Sequence, residues 1–246
     1  MAISALIVPC IKEGFPVYGS FRLYGALLLI VQLVAGCSEA ETPGNENKAV
    51  APAAAKGPEA GDKIVLAFGD SLYAGYGVQQ NESFPFELER ALEARGIPAY
   101  VHNAGVSGDT SSAGLQRLTF TLDGLPRKPD LVVVGLGGND MLRGLDPAAT
   151  RKNLDAILST LKERDIDVML TGMVAAPNMG QAYAESFNPI YPELAREYDA
   201  ALYPFFLDGV ITDRNLMLPD RIHPNPAGID KIVEKVAPVV AKALED

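Results

Sequence analysis

From about residue 62 onward, short apolar runs alternate along the chain with amphipathic stretches. Five of these runs have the near-continuous apolar character of strands that are buried on both faces. They are Lys63–Phe68, Ala99–His102, Asp130–Leu136, Asp167–Thr171 and Ala201–Phe206. The amphipathic stretches carry apolar residues at helical spacing over Phe84–Arg95, Ser112–Leu122, Ala149–Arg164, Asn188–Tyr198 and Pro226–Leu244. This alternation predicts one α/β domain over residues 62–246, with three α/β/α layers and a flavodoxin-like, five-stranded parallel sheet.

The N-terminal part of the chain has another pattern. Leu23–Gly36 is an apolar run preceded by Arg22, and it is shorter than the ~20 residues that span a bilayer. Its length and flank are typical of the apolar core of a signal peptide. The run ends in Leu33–Cys37, which resembles the bacterial lipobox, in which the cysteine is lipidated and becomes the mature N-terminus. We therefore expect a signal peptide over residues 1–36 and a lipid on Cys37; the alternatives are a plain secretory signal with an incidental cysteine and an interfacial anchor.

Residues 37–61 are rich in Glu, Pro, Ala, Asn and Gly and show no apolar period, which predicts a flexible linker ahead of the domain. Together with the leader, this linker predicts an exported protein of the cell envelope or periplasm that a lipid anchor holds at the membrane. Ser38 stands where an aspartate would signal retention at the inner membrane, so the expected destination is the outer membrane.

Charge and cysteine content exclude some classes of protein. The chain of 246 residues has a formal net charge of −10, and no run of it is rich in Lys and Arg, which argues against binding to nucleic acid. Its two cysteines, Cys10 and Cys37, both precede the predicted domain. That domain is therefore expected to contain no disulfide and no cysteine-bound metal.

In the expected strand order 2-1-3-4-5, the loops after the first three strands meet at one edge of the sheet. All three loops place glycine beside small polar residues: Gly69–Leu72, Asn103–Thr110 and Gly137–Asp140. Glycine allows backbone N–H groups to approach a ligand closely. The sequence therefore predicts a polar cleft where these loops converge.

Ser71 lies where a buried strand breaks into a turn, so its hydroxyl is expected at the sheet edge, with main-chain N–H groups pointing the same way. The N–H of Gly108, the side-chain amide of Asn139 and the N–H of Ser71 itself are three candidate donors to an oxyanion. The alternative is that Ser71 and Asn139 are ordinary capping and turn residues. For Asp109 and Asp140 we expect only that they brace their own turns.

A nucleophilic serine needs a base, and the chain has two histidines. His102 ends a strand among alternating neighbours, which favours a structural role. His223 follows Asp220 by one turn, so one short segment can hold a carboxylate against the imidazole and fix its tautomer. The long link over residues 207–225 would bring this pair to the serine. The alternative interpretation is the capped start of the last helix, with Pro226 in its first turn.

Four motifs follow one another along the domain: Gly69–Leu72, Ser107–Thr110, Gly137–Asp140 and Asp220-x-x-His223. Together they resemble the four blocks of the GDSL or SGNH hydrolases, and the first and third are closest to the bacterial arylesterase and multifunctional acyl-CoA thioesterase/lysophospholipase branch. The resemblance implies the SGNH hydrolase fold and assigns the catalytic triad to Ser71, Asp220 and His223. It assigns the oxyanion hole to Gly108, Asn139 and the N–H of Ser71.

The activity that this resemblance implies is hydrolysis of carboxylic esters through an acyl-enzyme, with no metal or cofactor. Aryl esters, acyl esters, lysophospholipids and thioesters are the expected substrates. A carbohydrate or peptidoglycan O-acetylesterase and a non-catalytic surface lipoprotein are the alternatives. Tyr73 stands where this branch often has serine, and we expect it to alter access beside the nucleophile.

An apolar acyl pocket would draw on residues in or beside the site loops, and ordinary packing is the alternative for each of them. The candidates are Leu136, Met141, Leu142, Met173, Val174, Met179 and Leu218. The stretch Ala176–Ser186 is a candidate mobile rim of the cleft.

Overall fold

The computed structural model describes residues 57–245 of the protein. Within this range, five parallel strands form one sheet in the order β2-β1-β3-β4-β5. The strands are β1 (Lys63–Gly69), β2 (Ala99–Gly105), β3 (Leu131–Gly135), β4 (Val168–Thr171) and β5 (Ala201–Tyr203). The predicted fold class and strand order are confirmed. The predicted signal peptide over 1–36, the lipidation site Cys37 and most of the predicted linker over 37–61 lie outside the described residues.

Helices flank the sheet on both faces. They are α1 (Ser71–Ala74), α2 (Phe84–Glu93), α3 (Ser111–Asp123), α4 (Gly138–Leu142), α5 (Pro147–Glu163), α6 (Gln181–Phe187), α7 (Ile190–Tyr198) and α8 (Pro226–Ala243). Along the sheet, β2 lies on one side of β1 and β3 lies on the other, so the two connections run in opposite directions across the sheet. Because both crossovers are right-handed, α2 and α3 lie on opposite faces. Accordingly, α2 packs beside α8, and α3 packs beside α5. Between residues 57 and 245, no helix combines the length and the apolar character needed to cross a membrane.

The core forms because the central strands are apolar on both faces. Residues 65–68 of β1 and 131–134 of β3 have no exposed surface. The helices complete the core with apolar stripes, such as Leu88 and Leu92 of α2. Full burial of each such side chain contributes about 1.5–3 kcal/mol to stability.

Two strand ends differ from the sequence-based boundaries by three residues, whereas the other strand boundaries agree to within one residue. The prediction that the second strand ends at His102 is wrong, because residues up to Gly105 still pair with β1. The prediction that the fifth strand continues to Phe206 is also wrong, because Pro204 has no N–H to donate to the ladder. Phe206 nevertheless lies in the core, on the loop that follows β5. The one-turn helices α1 and α4 and the short helix α6 have too little apolar period to be predicted from the sequence.

Three glycines stand side by side where the first strands end: Gly69 of β1 pairs with Gly105 of β2 and with Gly135 of β3. Helix α1 lies directly on this glycine row. A Cβ at Gly105 would overlap the backbone of Ala74, and a Cβ at Gly69 or Gly135 would overlap the ring of Tyr73. The close approach of α1 to the sheet therefore depends on the absence of side chains in the glycine row.

Tyr73 is buried by this packing, with 1% of its surface exposed, and its hydroxyl lies 2.8 Å from the Oγ1 of Thr171. Its ring packs against Phe84 and Phe206. The expectation that Tyr73 alters access beside the nucleophile is therefore wrong. Helix α1 directs this side chain into the core, so it fills the space over the glycine row.

Asp70 connects the end of β1 to α1 and is 3% exposed. Its carboxylate caps α1 by accepting a hydrogen bond from the N–H of Leu72, at 3.0 Å. It also accepts a hydrogen bond from the side-chain amide of Asn139, at 3.3 Å. Burial raises the pKa of Asp70 from 3.8 to about 6, and the hydrogen bond from Leu72 opposes this rise only in part. The ionised cap is therefore held at a cost in folding free energy.

Replacing Gly105 with Ala is expected to destabilise the protein, because the new methyl group must displace α1. Overpacking of this kind costs about 1–3 kcal/mol. Urea unfolding of Gly105→Ala against the unchanged protein measures this loss. Gly124→Ala is the matched control, since the nearest atom to its added Cβ is the Phe120 carbonyl oxygen at 3.4 Å. Equal stability of the two variants would show that α1 does not need the glycine row.

The stability difference between the unchanged protein and Asp70→Asn is expected to depend on pH. The folded state holds the Asp70 proton more tightly than the unfolded state, so ionisation at rising pH disfavours folding. The unchanged protein should therefore lose stability relative to the variant between about pH 4 and pH 6, by about 2–3 kcal/mol, and change little above that window. Urea unfolding of both proteins across this range tests the sign. A difference that stays constant or grows in favour of Asp70 would contradict it.

Candidate active site

Ser71 is the first residue of α1 and stands at the carboxyl end of β1, on the edge where β1 lies between β2 and β3. Asp70 caps the helix in front of it, and the glycine row lies beneath. Ser71 is partly exposed, whereas the strand residues before it are buried. The local sequence thus places a hydroxyl at the surface on a rigid support.

His223 reaches Ser71 from the loop between β5 and α8. Its Nε2 lies 2.8 Å from the Oγ of Ser71, across 152 positions of sequence. The loop folds back on itself: the N–H of Leu218 donates to the His223 carbonyl at 2.8 Å, and Met217 forms an antiparallel bridge with Pro224. As predicted, the long link after β5 brings His223 to Ser71.

Asp220 lies on the other side of the imidazole, with its Oδ2 at 2.6 Å from the Nδ1 of His223. Its Oδ1 accepts the N–H groups of Ile222 and His223, at 2.9 and 3.1 Å. Arg221 adopts a φ of 59°, which produces the tight turn that brings these groups together. One four-residue segment therefore holds the carboxylate against the ring. The same segment leads into α8, which Asn225 caps with Pro226 in its first turn, so the helix-start interpretation holds as well.

The charge of Asp220 fixes the tautomer of His223. Partial burial raises the pKa of Asp220, but the hydrogen bonds from Ile222 and His223 outweigh this effect, and its pKa lies below the ordinary value. Asp220 is thus ionised at neutral pH and accepts the Nδ1 proton. The Nε2 of His223 then carries a lone pair that faces the hydroxyl proton of Ser71.

Three donors gather beside Ser71. Among residues 57–245, neither the N–H of Ser71 nor that of Gly108 has a hydrogen-bond acceptor. The side-chain nitrogen of Asn139 lies 3.3 Å from the Asp70 carboxylate and 3.0 Å from the Asp109 carbonyl. Because Asp70 precedes Ser71 and Asp109 follows Gly108, these contacts bring Asn139 to both backbone donors. The two backbone N–H groups can stabilise a developing negative charge. The two N–H bonds of the Asn139 amide serve the contacts above, and the amide joins the backbone donors when it releases the longer one, to Asp70.

Two arginines that carried no signal in the sequence tie these loops together. Arg117 of α3 binds the Asp109 carboxylate at 2.6 Å and the Gly69 carbonyl at 2.9 Å. Arg143 donates to the Gly108 carbonyl at 2.8 Å, and its backbone N–H donates to the Asn139 carbonyl at 3.1 Å. The carbonyl partners of the two guanidinium groups lie 48 and 35 positions away. No local motif could have revealed them.

The two aspartates expected to brace their own turns bind other segments instead. Asp109 pairs with Arg117. Asp140, which is 1% exposed, accepts the N–H of Ser111 at 2.8 Å and the hydroxyl of Thr150 at 3.2 Å. It therefore fixes the start of α3 against α4 and α5. The expectation is wrong for both residues because their carboxylates bind residues of α3 and α5.

The remaining candidates from the sequence are His102, the residues of the acyl pocket and the rim segment. His102 lies on β2, half-buried, with its Nδ1 at 3.3 Å from the Tyr100 hydroxyl, and burial lowers its pKa. Among the described residues, His102 has no hydrogen bond or ring contact with Ser71, Asp220 or His223; its partner is Tyr100. Of the acyl-pocket candidates, three are core residues: Leu136, Met141 and Met173. Leu142 and Val174 are exposed, whereas Met179 and Leu218 are partly buried. Much of the candidate rim over residues 176–186 lies in a 3₁₀ turn and α6.

The chain is similar to known esterases and to a thioesterase/lysophospholipase. The arylesterase of Vibrio mimicus is 40% identical over 186 residues, which cover 76% of this chain and 92% of that protein. The thioesterase 1/protease 1/lysophospholipase L1 of Escherichia coli K12 is 38% identical over 180 residues, or 72% and 84% of the two chains. The crystal structure of AlinE4, an SGNH-hydrolase family esterase, is 52% identical, with a TM-score of 0.64, and the match covers 74% of this chain and 96% of that one.

The family model of the GDSL-like lipases and acylhydrolases matches residues 67–231. This range begins just before Ser71 and ends beyond His223, so it includes all four motifs. The match and the relatives confirm the resemblance drawn from those motifs. The chain belongs to the GDSL-like lipase/acylhydrolase family.

Proposed function

We propose that this protein hydrolyses carboxylic esters through an acyl-enzyme on Ser71, with His223 as the base and Asp220 as its partner. The observation that carries the proposal is the continuous hydrogen-bonded chain from the Ser71 hydroxyl through His223 to Asp220. Beside it lie two N–H groups that have no acceptor within the described part of the chain. A serine hydroxyl is a weak nucleophile by itself, and an aligned imidazole removes its proton as it attacks.

In the first half of the reaction, the Oγ of Ser71 bonds to the ester carbonyl carbon while its proton passes to the Nε2 of His223. The carbonyl π-electrons move to oxygen, and the N–H groups of Ser71 and Gly108 and the amide of Asn139 stabilise that oxyanion. When the carbonyl reforms, the bond to the alkoxy oxygen breaks. The imidazolium gives its proton to this leaving alcohol, so His223 returns to its starting state.

In the second half, water takes the place of the alcohol. The Nε2 of His223 accepts a proton from water as its oxygen attacks the acyl carbon, and the same three donors hold the second oxyanion. Collapse breaks the bond to the Oγ of Ser71, which regains a proton from His223. Asp220 remains ionised throughout and stabilises the imidazolium in both halves.

The exposed apolar side chains support a substrate with an apolar acyl or aryl group. Three segments that carry a functional group also carry a large apolar residue with 42–52% of its surface exposed: Val106 before Gly108, Leu142 after Asn139 and Ile222 beside His223. Exposed apolar side chains that lie close together often mark a ligand-binding site, whereas isolated ones need no such explanation. Aryl esters, acyl esters, lysophospholipids and acyl thioesters are the proposed substrate classes.

We also propose that a lipid on Cys37 holds the enzyme at the cell envelope, with the outer membrane as its destination. The support is the apolar run over residues 23–36 and its ending in Leu33–Cys37. The segment over 38–61 would then separate the anchor from β1. An enzyme anchored beside phospholipid meets lysophospholipids at high local concentration, which fits the proposed substrates.

Replacing Ser71 with Ala is expected to abolish hydrolysis of p-nitrophenyl esters, by at least about 10³-fold in kcat, because no other described group occupies the nucleophile position. A fluorophosphonate probe should label the unchanged protein and not the variant. Thermal unfolding should be similar in both, since Ser71 is at the surface. Near-normal turnover in Ser71→Ala, or an unchanged protein that resists the probe, would overturn the assignment and favour a non-catalytic lipoprotein.

The same assay with esters of increasing acyl length tests the substrate class. The exposed apolar residues predict turnover of medium acyl chains and of aryl esters. A strict preference for acetyl groups would point to an O-acetylesterase of carbohydrate or peptidoglycan.

Replacing Cys37 with Ser is expected to move the protein from the membrane fraction to the soluble envelope fraction of the producing bacterium, because no thiol remains to carry the lipid. Metabolic labelling with a radioactive fatty acid should mark the unchanged chain and not the variant. Cys10→Ser is the matched control and should change neither property. Membrane association that survives in Cys37→Ser would contradict the lipid anchor.

A further inference from the structure

The ring of Tyr76 packs against the imidazole of His223 in a tilted arrangement. The two ring centroids are 4.3 Å apart, and the ring planes meet at 33°. Tyr76 is 53% exposed, so burial of apolar surface does not explain its placement. The steps described above use no group of this residue. Its position against the base of the proposed reaction therefore calls for a function of its own.

Backbone geometry fixes the ring at this place. Gly75 and Gly77, on either side of Tyr76, have φ values of 81° and 74°, which a residue with a side chain rarely adopts. The N–H of Tyr76 donates to the Ser71 carbonyl at 3.2 Å. Tyr76 is thus tied to the residue that carries the nucleophile.

The same turn also contacts the loop that carries the base. A Cβ at Gly77 would lie 2.6 Å from the Cδ1 of Leu218, so the two segments touch closely. Leu218 in turn donates its N–H to the His223 carbonyl at 2.8 Å. The ring of Tyr76 is therefore held relative to both Ser71 and His223.

A face contact supplies a restraint that the hydrogen bonds of His223 lack. Asp220 and Ser71 hold the imidazole at Nδ1 and Nε2, but the ring can still rock about the line through these two atoms. A ring packed on its face opposes this motion. In addition, the face of an aromatic ring carries partial negative charge, which favours a cation above it. The imidazolium formed in each half of the reaction is such a cation.

We propose that Tyr76 is a positioning residue for His223: its ring face keeps the imidazole in line with Ser71 and stabilises the imidazolium. This inference rests on the proposed esterase function. The aromatic face, and not the hydroxyl, carries the effect, since the Tyr76 hydroxyl has no hydrogen-bond partner among residues 57–245. Phenylalanine should therefore replace Tyr76 fully, whereas an aliphatic side chain should not.

The experiment compares Tyr76→Phe with Tyr76→Leu in steady-state hydrolysis of one aryl ester and one alkyl ester of the same acid. Tyr76→Phe should keep the kcat of the unchanged protein. Tyr76→Leu should lower kcat by about threefold to tenfold for both esters with little change in KM, because His223 takes and returns a proton in both halves of the reaction. Phe120→Leu is the matched control: Phe120 is 83% exposed, lies on α3 and should tolerate the change with no effect on kcat.

Three results would overturn the inference. Equal kcat in Tyr76→Leu and the unchanged protein would show that the ring face has no effect on His223. Equal losses in Tyr76→Phe and Tyr76→Leu would assign the effect to the hydroxyl. A rise in KM confined to the aryl ester would make Tyr76 a contact for the leaving group. If Tyr76→Leu yields little folded protein, Tyr76→Met provides an unbranched replacement with the same expected loss.

Failure of the inference can be told apart from failure of the proposed function. Ser71→Ala and His223→Ala are measured in parallel and should both be inactive if the esterase assignment holds. An inactive Ser71→Ala together with a fully active Tyr76→Leu would overturn the positioning role alone. Residual activity in Ser71→Ala would overturn both.

Discussion

The glycine row is the constraint on which the rest of the site depends. Gly69, Gly105 and Gly135 lie in register across β1, β2 and β3, so one helical turn can rest on three strands at once. Helix α1 is too short to be stable alone, and its position comes from this contact and from the ring of Tyr73 beneath it. Ser71 is the first residue of that turn. The nucleophile is thereby attached to the buried centre of the sheet.

Around this fixed point, charged side chains connect loops that the sheet alone leaves separate. Arg117 joins the end of β1 to the loop after β2, and Arg143 joins that loop to the segment after β3. Asp140 adds a buried connection to the start of α3. Hydrogen bonds to charged groups contribute about 1.5–3 kcal/mol each. Those of Asp140 and Arg117 are buried or partly buried, whereas the contact of Arg143 is exposed to solvent and contributes less. Within the described residues, the N–H groups of Ser71 and Gly108 have no acceptor in this network.

The sequence predicted those parts of the protein that depend on local pattern. Buried strands appear as apolar runs, so the strands and their order followed from hydrophobicity and the rules of parallel sheets. The three-residue spacing of Asp220 and His223 is also a local pattern, and it predicted an acid–base pair within one turn. Contacts between segments that lie far apart in the sequence produce no such local pattern. The binding of Arg117 to Gly69, the direction of Tyr73 and the contacts of Asp140 with α3 and α5 depend on how separate segments pack, which no single stretch of sequence encodes.

Short elements were missed for a related physical reason. Helices α1 and α4 contain four and five residues, which is too few to show a period of 3.6. They form because tertiary contacts and caps hold them, and both lie at the site. The part of the fold that matters most to function is thus the part with the weakest local signal.

The turn made by Asp220, Arg221, Ile222 and His223 holds the acid–base pair together, because the hydrogen bonds of the Asp220 carboxylate run within four consecutive residues. Displacement of the β5–α8 loop would therefore carry the carboxylate and the imidazole away as one body. Loss of activity on warming can then begin with separation from Ser71 while the sheet remains folded and the acid–base pair remains intact. Return of the loop would restore the enzyme without refolding of the domain.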